Sequence, residues 1–258
     1  MSVTHPRAPQ RVRHELRFRQ ITVASKTRVA DAFWRIVFDS DALAGFQSAG
    51  FDDHIKLFFP HDAGHTLQPT ITAEGVSWPD GVRPLSRDYT PLNFDGQRTL
   101  TLDFYIHDGG VASAWADNAQ PGDILNVGGP RGSLVVPEDY AFQLYVCDES
   151  GLPAMLRRQA TMQAEQSYLF AFVDREVGEA YLPALSGLQV QWLGHDALQA
   201  GKVDALLGQF DALNVPDNDY FIWLTGEGTV AKALSDYFVE QRLCDPEFVR
   251  AVAYWHQK

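Results

Sequence analysis

The chain has 258 residues, 45% of them apolar and 21% charged, the composition of one large or two medium folded domains, which argues against an extended disordered protein. Its formal net charge of -12 disfavours nucleic acid or an anionic membrane surface as a general partner, so an anionic substrate would need a local basic patch. No apolar run is long enough to cross a membrane as a helix, and Cys147 and Cys244 alone make no disulfide framework, so no membrane insertion and a reducing cytoplasm are expected.

Positive charge gathers at the start, where Arg7, Arg11, Arg13, Arg17 and Arg19 meet one acid, Glu15, and with no apolar leader this reads as a solvated arm before the first strand. Residues 17–23, 32–38 and 54–59 are rich in β-branched and aromatic side chains and separated by Gly, Asp and Pro, the pattern of strands. Residues 99–107 alternate most cleanly. Leu100, Leu102, Phe104 and Ile106 share one face and Thr101, Asp103, Tyr105 and His107 the other, so one face packs and the other is free to bind. A short helix is predicted over 111–118, after which Pro121-Gly122-Asp123 turns the chain into 124–127 and the run Gly128 to Gly132 turns it again. Short strands at this spacing predict an all-β antiparallel barrel over residues 1–138.

The second half changes period near residues 137–142, where the domain boundary is expected. Apolar strands are predicted at 143–147, 168–173, 188–193, 220–225 and 249–255, with helices at 152–165 and 197–209. A further helix carries Val230, Ala233, Leu234, Tyr237 and Phe238 on one face, with Thr229 as its expected N-cap. Strands alternating with helices predict an α/β domain with a parallel sheet over 139–258. Ligands of such sheets bind beyond the carboxyl ends of the strands, here Asp148-Glu149-Ser150-Gly151, Asp174-Arg175, Gly194-His195 and Gly226-Glu227-Gly228.

Two stretches carry chemistry. In Ser86-Arg87-Asp88-Tyr89-Thr90 a strand would aim Arg87 and Tyr89 the same way, offering a guanidinium to phosphate and an aromatic face to a flat ring, which suits a flavin nucleotide. The run His107-Asp108-Gly109-Gly110-Val111-Ala112-Ser113-Ala114-Trp115 leads from a binding face through two glycines into a helix, whose free N–H groups attract anions. Other chemistries fail on pattern: Glu149-Ser150-Gly151 lacks the first glycine of a serine-hydrolase elbow, and His61 and His65 sit in a loop with no helix to align them for zinc. No dinucleotide-binding glycine fingerprint or nucleoside-triphosphate loop occurs.

Arg87-Asp88-Tyr89-Thr90 followed by a Gly-Val-Ala-Ser turn, in a barrel that precedes an α/β domain, resembles the ferredoxin-reductase superfamily. Within it the chain resembles the siderophore-interacting proteins, FAD-dependent ferric-siderophore reductases. The supporting segments are residues 54–57, the Arg87 motif, 107–115, 129–132, 148–154, 223–227 and Tyr254-Trp255. Two positions depart from the usual pattern: Pro91-Leu92 replaces a basic continuation, and His256 stands where an arginine commonly follows Tyr-Trp.

The resemblance implies that Arg87 holds the FAD pyrophosphate, with Asp88 beside it, that Tyr89 packs on the isoalloxazine, and that Thr90 lies near its N5 edge. It further implies that Asp103, Tyr105 and His107 face the ribityl and adenosine portions, that Gly110, Val111, Ala112 and Ser113 cradle phosphate, and that Trp115 braces the turn. Asp148, Glu149, Ser150, Gly226 and Glu227 would meet NADPH or NADH. Lys56 and Arg131, with Arg250 or His256 as a third member, would bind an anionic ferric siderophore of catecholate or mixed type. The implied reaction passes a hydride to FAD and single electrons to Fe(III), needs no acid or base side chain, and requires nothing larger than a monomer. The alternatives are a related flavin oxidoreductase with a quinone, flavin or protein acceptor, and a non-catalytic siderophore-binding protein.

Overall fold

The computed structural model describes residues 7–60, 69–72, 75–81, 83–184, 186–195 and 202–257. His61, His65 and residues 197–201 of the expected 197–209 helix lie outside them. The chain forms two compact units, one of Arg11–Val135 and one of the residues from Val136 onward with the segment before Arg11.

The first unit contains β1 (Gln10–Arg13), β2 (Phe18–Val29), β3 (Phe33–Asp39), β4 (Ile55–Phe59), β5 (Thr70–Thr72), β6 (Gly75–Ser77), β7 (Leu85–Tyr89), β8 (Asn93–Phe94), β9 (Thr99–Tyr105), α1 (Val111–Asn118), β10 (Ile124–Gly128) and β11 (Gly132–Val135). Seven of these strands form one antiparallel sheet in the order β7-β4-β10-β2-β3-β9-β8. Its two edge strands, β7 and β8, are joined only by residues 90–92, a link of about 10–14 Å. Seven strands laid flat would put those edges about 28 Å apart, so the sheet must curl. The expected barrel is thus a strongly curled sheet whose β7 and β8 edges are not paired with each other.

The alternation over β9 places Leu100, Leu102 and Phe104 in the core with Ile21, Ile36, Phe38, Ile55, Leu57 and Val127. Each such side chain contributes about 1.5–3 kcal/mol on full burial. Helix α1 covers one opening of this core with Ala112, Ala116 and Trp115, whose ring lies 5.8 Å from Phe104 and 5.9 Å from Phe59.

Two expectations change here. The arm is not wholly solvated: β1 pairs with β11, and the guanidinium of Arg19 is buried, donating to the carbonyls of Ala42 (3.0 Å) and Gly129 (3.1 Å). Strand β2 also runs six residues past Val23, across a register shift between Val23 and Ser25 that keeps it paired with β3.

The second unit contains β12 (Phe142–Asp148), α2 (Leu152–Gln159), β13 (Gln166–Phe172), α3 (Arg175–Tyr181), β14 (Leu188–Trp192), α4 (Lys202–Asp211), β15 (Tyr220–Glu227), α5 (Gly228–Asp236) and β16 (Val249–Trp255). Its five strands form a parallel sheet in the order β14-β13-β12-β15-β16. Every residue of the central strands β12 and β15 is buried, which is why they read as continuous apolar runs. The strand order reverses between β12 and β15, the position where sheets of this kind take their ligands.

Helix α2 ends at Gln159 rather than 165, because the amides of Thr161 and Met162 turn back onto the Arg158 carbonyl and Gln163 bonds the Glu138 carbonyl. Arg158 is buried, and its guanidinium reaches Tyr145 Oη (2.7 Å), Gln143 Oε1 (2.9 Å) and the carbonyls of Val136 (3.2 Å) and Pro137 (2.6 Å). The expected cap of α5 is also corrected. Glu227, not Thr229, caps the helix, accepting from the amides of Thr229 (2.7 Å) and Val230 (3.1 Å), while Thr229 lies inside the first turn.

Candidate functional site

In the first unit, β7 runs along the edge of the sheet beside β4, with Arg87 opposite Leu57, Tyr89 opposite Ile55 and Asp88 opposite Lys56. Cross-strand partners share a face, so Arg87 and Tyr89 lie on the face of the core residues Leu57 and Ile55 and Asp88 lies with Lys56 on the other. The Tyr89 ring packs 4.5 Å from Phe104, and burial pushes its hydroxyl up against the opposing pull of the Arg87 guanidinium. Arg87 itself is exposed, donates only to the neighbouring Ser86 carbonyl (2.8 Å), and pairs with no carboxylate among the described residues. Thr90, the next residue, is buried.

The other expected phosphate element is the start of α1. Gly110 precedes the helix in extended conformation and offers no side-chain cap, which leaves the first-turn N–H groups open to an anion. A Cβ on Gly110 would come within 2.6 Å of His107 Cε1, so a larger residue there would displace that exposed imidazole. The Ser113 hydroxyl does not face outward as a phosphate ligand. It is buried, donates to the Tyr105 carbonyl (3.2 Å) and accepts from the His107 amide (3.2 Å), and so braces the turn. Val111 and Ala112 form the first turn, and the Tyr105 ring sits 5.4 Å from Phe33 and 6.1 Å from His107. Asp103 does not reach outward either. Its carboxylate is fully buried in a forked pair with Arg35, at 2.8 and 2.7 Å.

On the opposite face of β4 and β7 lies a cavity of about 510 Å³. Lys56 and Arg131 both line it, and His54 and Arg83 add two further basic groups. The Lys56 ammonium is held by Asp88 at 2.6 Å. Phe18, Phe58 and Trp78 supply an aromatic wall, with Phe58 and Trp78 4.7 Å apart and Phe18 and Phe58 5.7 Å apart. The sequence reading missed His54, Arg83 and all three rings. The one available signal was the placement of Trp78 and Arg83 just before the Arg87 motif.

In the second unit the carboxyl ends of the strands gather Asp148, Glu149, Ser150, Asp174, His195, Gly226 and Glu227. Several of these bind protein groups. Asp148 caps the Ser150 amide (2.9 Å), contacts the Ser150 hydroxyl, and accepts from Trp255 Nε1 at 2.6 Å. Burial alone would push the Glu227 carboxyl up, but the amides of Val230, Gln257 and Thr229 together hold it below the usual range. The C-terminal segment is therefore tied to both strand ends, and His256 packs over Gly228. Glu149 accepts from His195 Nδ1 at 2.9 Å, yet burial raises its carboxyl above the usual value. Arg250 on β16 pairs in register with Trp223 on β15, so Arg250 and His256 belong to this unit and Lys56 and Arg131 to the other.

No group of His, Cys, Asp and Glu among the described residues is arranged to hold a metal ion. His14, Ser133 and Asp53 do meet, but the buried Ser133 hydroxyl donates to Asp53 Oδ2 (2.6 Å) and the imidazole lies on its other side (2.8 Å), the wrong order for an activated nucleophile. No helix among the described residues is long and apolar enough to cross a membrane.

Residues 22–134 match the siderophore-interacting FAD-binding domain, and residues 140–258 match the family described as siderophore-interacting protein. The chain is 55% identical to the NADPH-dependent ferric-chelate reductase of Escherichia coli over 98% of each protein. It is similar to the crystal structure of a siderophore utilization protein from T. fusca, with a TM-score of 0.80 and 28% identity over 96% of each chain. Phthalate dioxygenase reductase shares the fold at 14% identity, with a TM-score of 0.56 over 92% of this chain and 68% of that one.

Proposed function

The chain belongs to the siderophore-interacting protein family, and from that premise we propose that it is an NADPH-dependent, FAD-containing reductase of ferric siderophores. The observation that carries the reading is that one compact unit holds both an exposed Arg87 beside Tyr89 and the uncapped first turn of α1. These groups fit FAD: Arg87 and the amides of Val111 and Ala112 would hold its two phosphates, and Tyr89 would face its ring. Bound FAD supplies the conversion of a hydride pair into single electrons. The protein residues bind and orient; none is asked to move a proton.

The cavity lined by Lys56, Arg131, His54 and Arg83 supports an anionic chelate as substrate, and its wall of Phe18, Phe58 and Trp78 supports an aryl chelate, a catecholate or mixed ligand. Hard catecholate oxygens hold Fe(III) far better than Fe(II), so reduction frees the metal. Asp148, Glu149, Ser150, Gly226 and Glu227, around the strand-order reversal, are proposed to form the nicotinamide nucleotide site, partly through backbone because their side chains are engaged. The unit assignments we propose are 1–138 for FAD and 139–258 for the nucleotide, in a monomeric cytoplasmic protein. Acceptor profiling tests the reading. The FAD-loaded protein with NADPH should form trapped Fe(II) faster from a ferric tris-catecholate than from a ferric tris-hydroxamate. Equal rates with generic dyes and no preference for iron would place it among other flavin oxidoreductases.

A further inference from the structure

We propose that Lys26, held over Trp34, clamps the closed end of α1 and thereby sets the phosphate cradle at its open end, making Lys26 a positioning residue for the diphosphate of FAD; the inference rests on the flavin reading above. An eight-residue helix is too short to hold itself in water, so its placement is decided by what grips it.

The two ends are gripped differently. At the carboxyl end, the Lys26 ammonium donates to the carbonyls of Ala116 and Asp117, both at 2.9 Å. Trp34 Nε1 donates to Asp117 Oδ1 at 2.7 Å, Asn118 Nδ2 to the Ala114 carbonyl at 2.8 Å, and the Ala119 amide to the Trp115 carbonyl at 2.9 Å. The ammonium also lies 4.3 Å from the Trp34 ring centroid, with the Arg28 guanidinium over the same ring at 4.9 Å. At the amino end no side chain caps the helix, and the Ser113 hydroxyl is directed into the preceding turn.

A cation therefore sits on the negative pole of the helix while the positive pole is left open for an anion. The helix spans about 12 Å, so a shift at the clamp displaces the first-turn amides as a rigid rod. Lys26 pairs with no carboxylate among the described residues, which sets its role apart from that of a surface ion pair; even Asp117, whose carbonyl it binds, gives its carboxylate to Trp34.

The test compares Lys26→Met, Lys26→Arg and Trp34→Phe with the parent protein, titrating each apoprotein with FAD and with riboflavin, which has the ring but no phosphate, and following flavin fluorescence. Lys26→Met should weaken FAD about fivefold and leave riboflavin within about twofold, Lys26→Arg should restore most of the loss, and Trp34→Phe should show a smaller change of the same kind. FAD affinity unchanged in Lys26→Met, or FAD and riboflavin weakened equally, would overturn the clamp. If Lys26→Met does not fold, Trp34→Phe decides on the same criterion. Failure of the parent protein to bind FAD would instead remove the flavin reading, and the clamp with it.

Discussion

Lys56 and Asp88 face each other across β4 and β7 as a 2.6 Å ion pair on the wall of the basic cavity, so one of the cations offered to a chelate is already partly neutralised. Asp88→Asn should free the ammonium and lower the KM for an anionic ferric chelate about two- to fivefold, and Lys56→Met with Arg131→Met should raise it about tenfold. Both effects should shrink as salt is raised, because the groups are solvent-exposed. Steady-state kinetics at two ionic strengths read this directly, and a salt-independent KM in all three proteins would separate the cavity from the chelate.

The fork between Arg35 and Asp103 makes a structural prediction. Removing the guanidinium takes both bonds of the fork away from a fully buried carboxylate, so Arg35→Met should cost about 3 kcal/mol in a urea denaturation. Asp103→Asn should cost less, since it leaves no buried charge.

How much of this was legible before the structure depended on the range of the signal. The period-two pattern of residues 99–105 and the apolar runs of β12 and β15 stand out locally, because burial on one face or both imprints itself on consecutive residues. The helix over 111–118 was found whole. The aromatic wall was not, because Phe18 on β2, Phe58 on β4 and Trp78 after β6 are far apart in sequence and meet only through tertiary packing. The role expected of Asp103 changed for the same reason: alternation places it on the outward face, but only the β3–β9 register shows that Arg35 waits opposite. The cap of α5 was misread because a glutamate reaching two amides displaced the more usual threonine.

Gly226 tests the nucleotide edge. Its φ of +126° favours glycine, and a Cβ there would come within 2.8 Å of Asp148 Oδ2, the atom that holds Trp255. Gly226→Ala should destabilise the protein by about 1–3 kcal/mol and shift tryptophan fluorescence as Trp255 loses its partner. Gly187, also at positive φ but in open space, should tolerate alanine better.

The Glu149 carboxyl gives a pH signature. Burial raises it, against the favourable contact with His195, so the folded state keeps a proton that the unfolded state has released. The sign follows: this group's contribution is fully present below the ordinary glutamate value of 4.5 and is lost as pH rises through the higher folded value. Glu149→Gln should flatten the fall in stability over that window, measured by denaturant midpoints from acid to neutral pH. An unchanged slope would mean that the carboxylate is better solvated than its position shows.

The central claim is an electron path from NADPH through FAD to chelated iron, and an anaerobic visible spectrum follows it in one cuvette. With FAD bound, the flavin bands should bleach on adding NADPH and return on adding a ferric tris-catecholate, as an Fe(II) indicator develops its colour. Bleaching without recovery or Fe(II) would contradict the assignment of the acceptor, and a protein that binds no FAD would contradict the account from Arg87 onward.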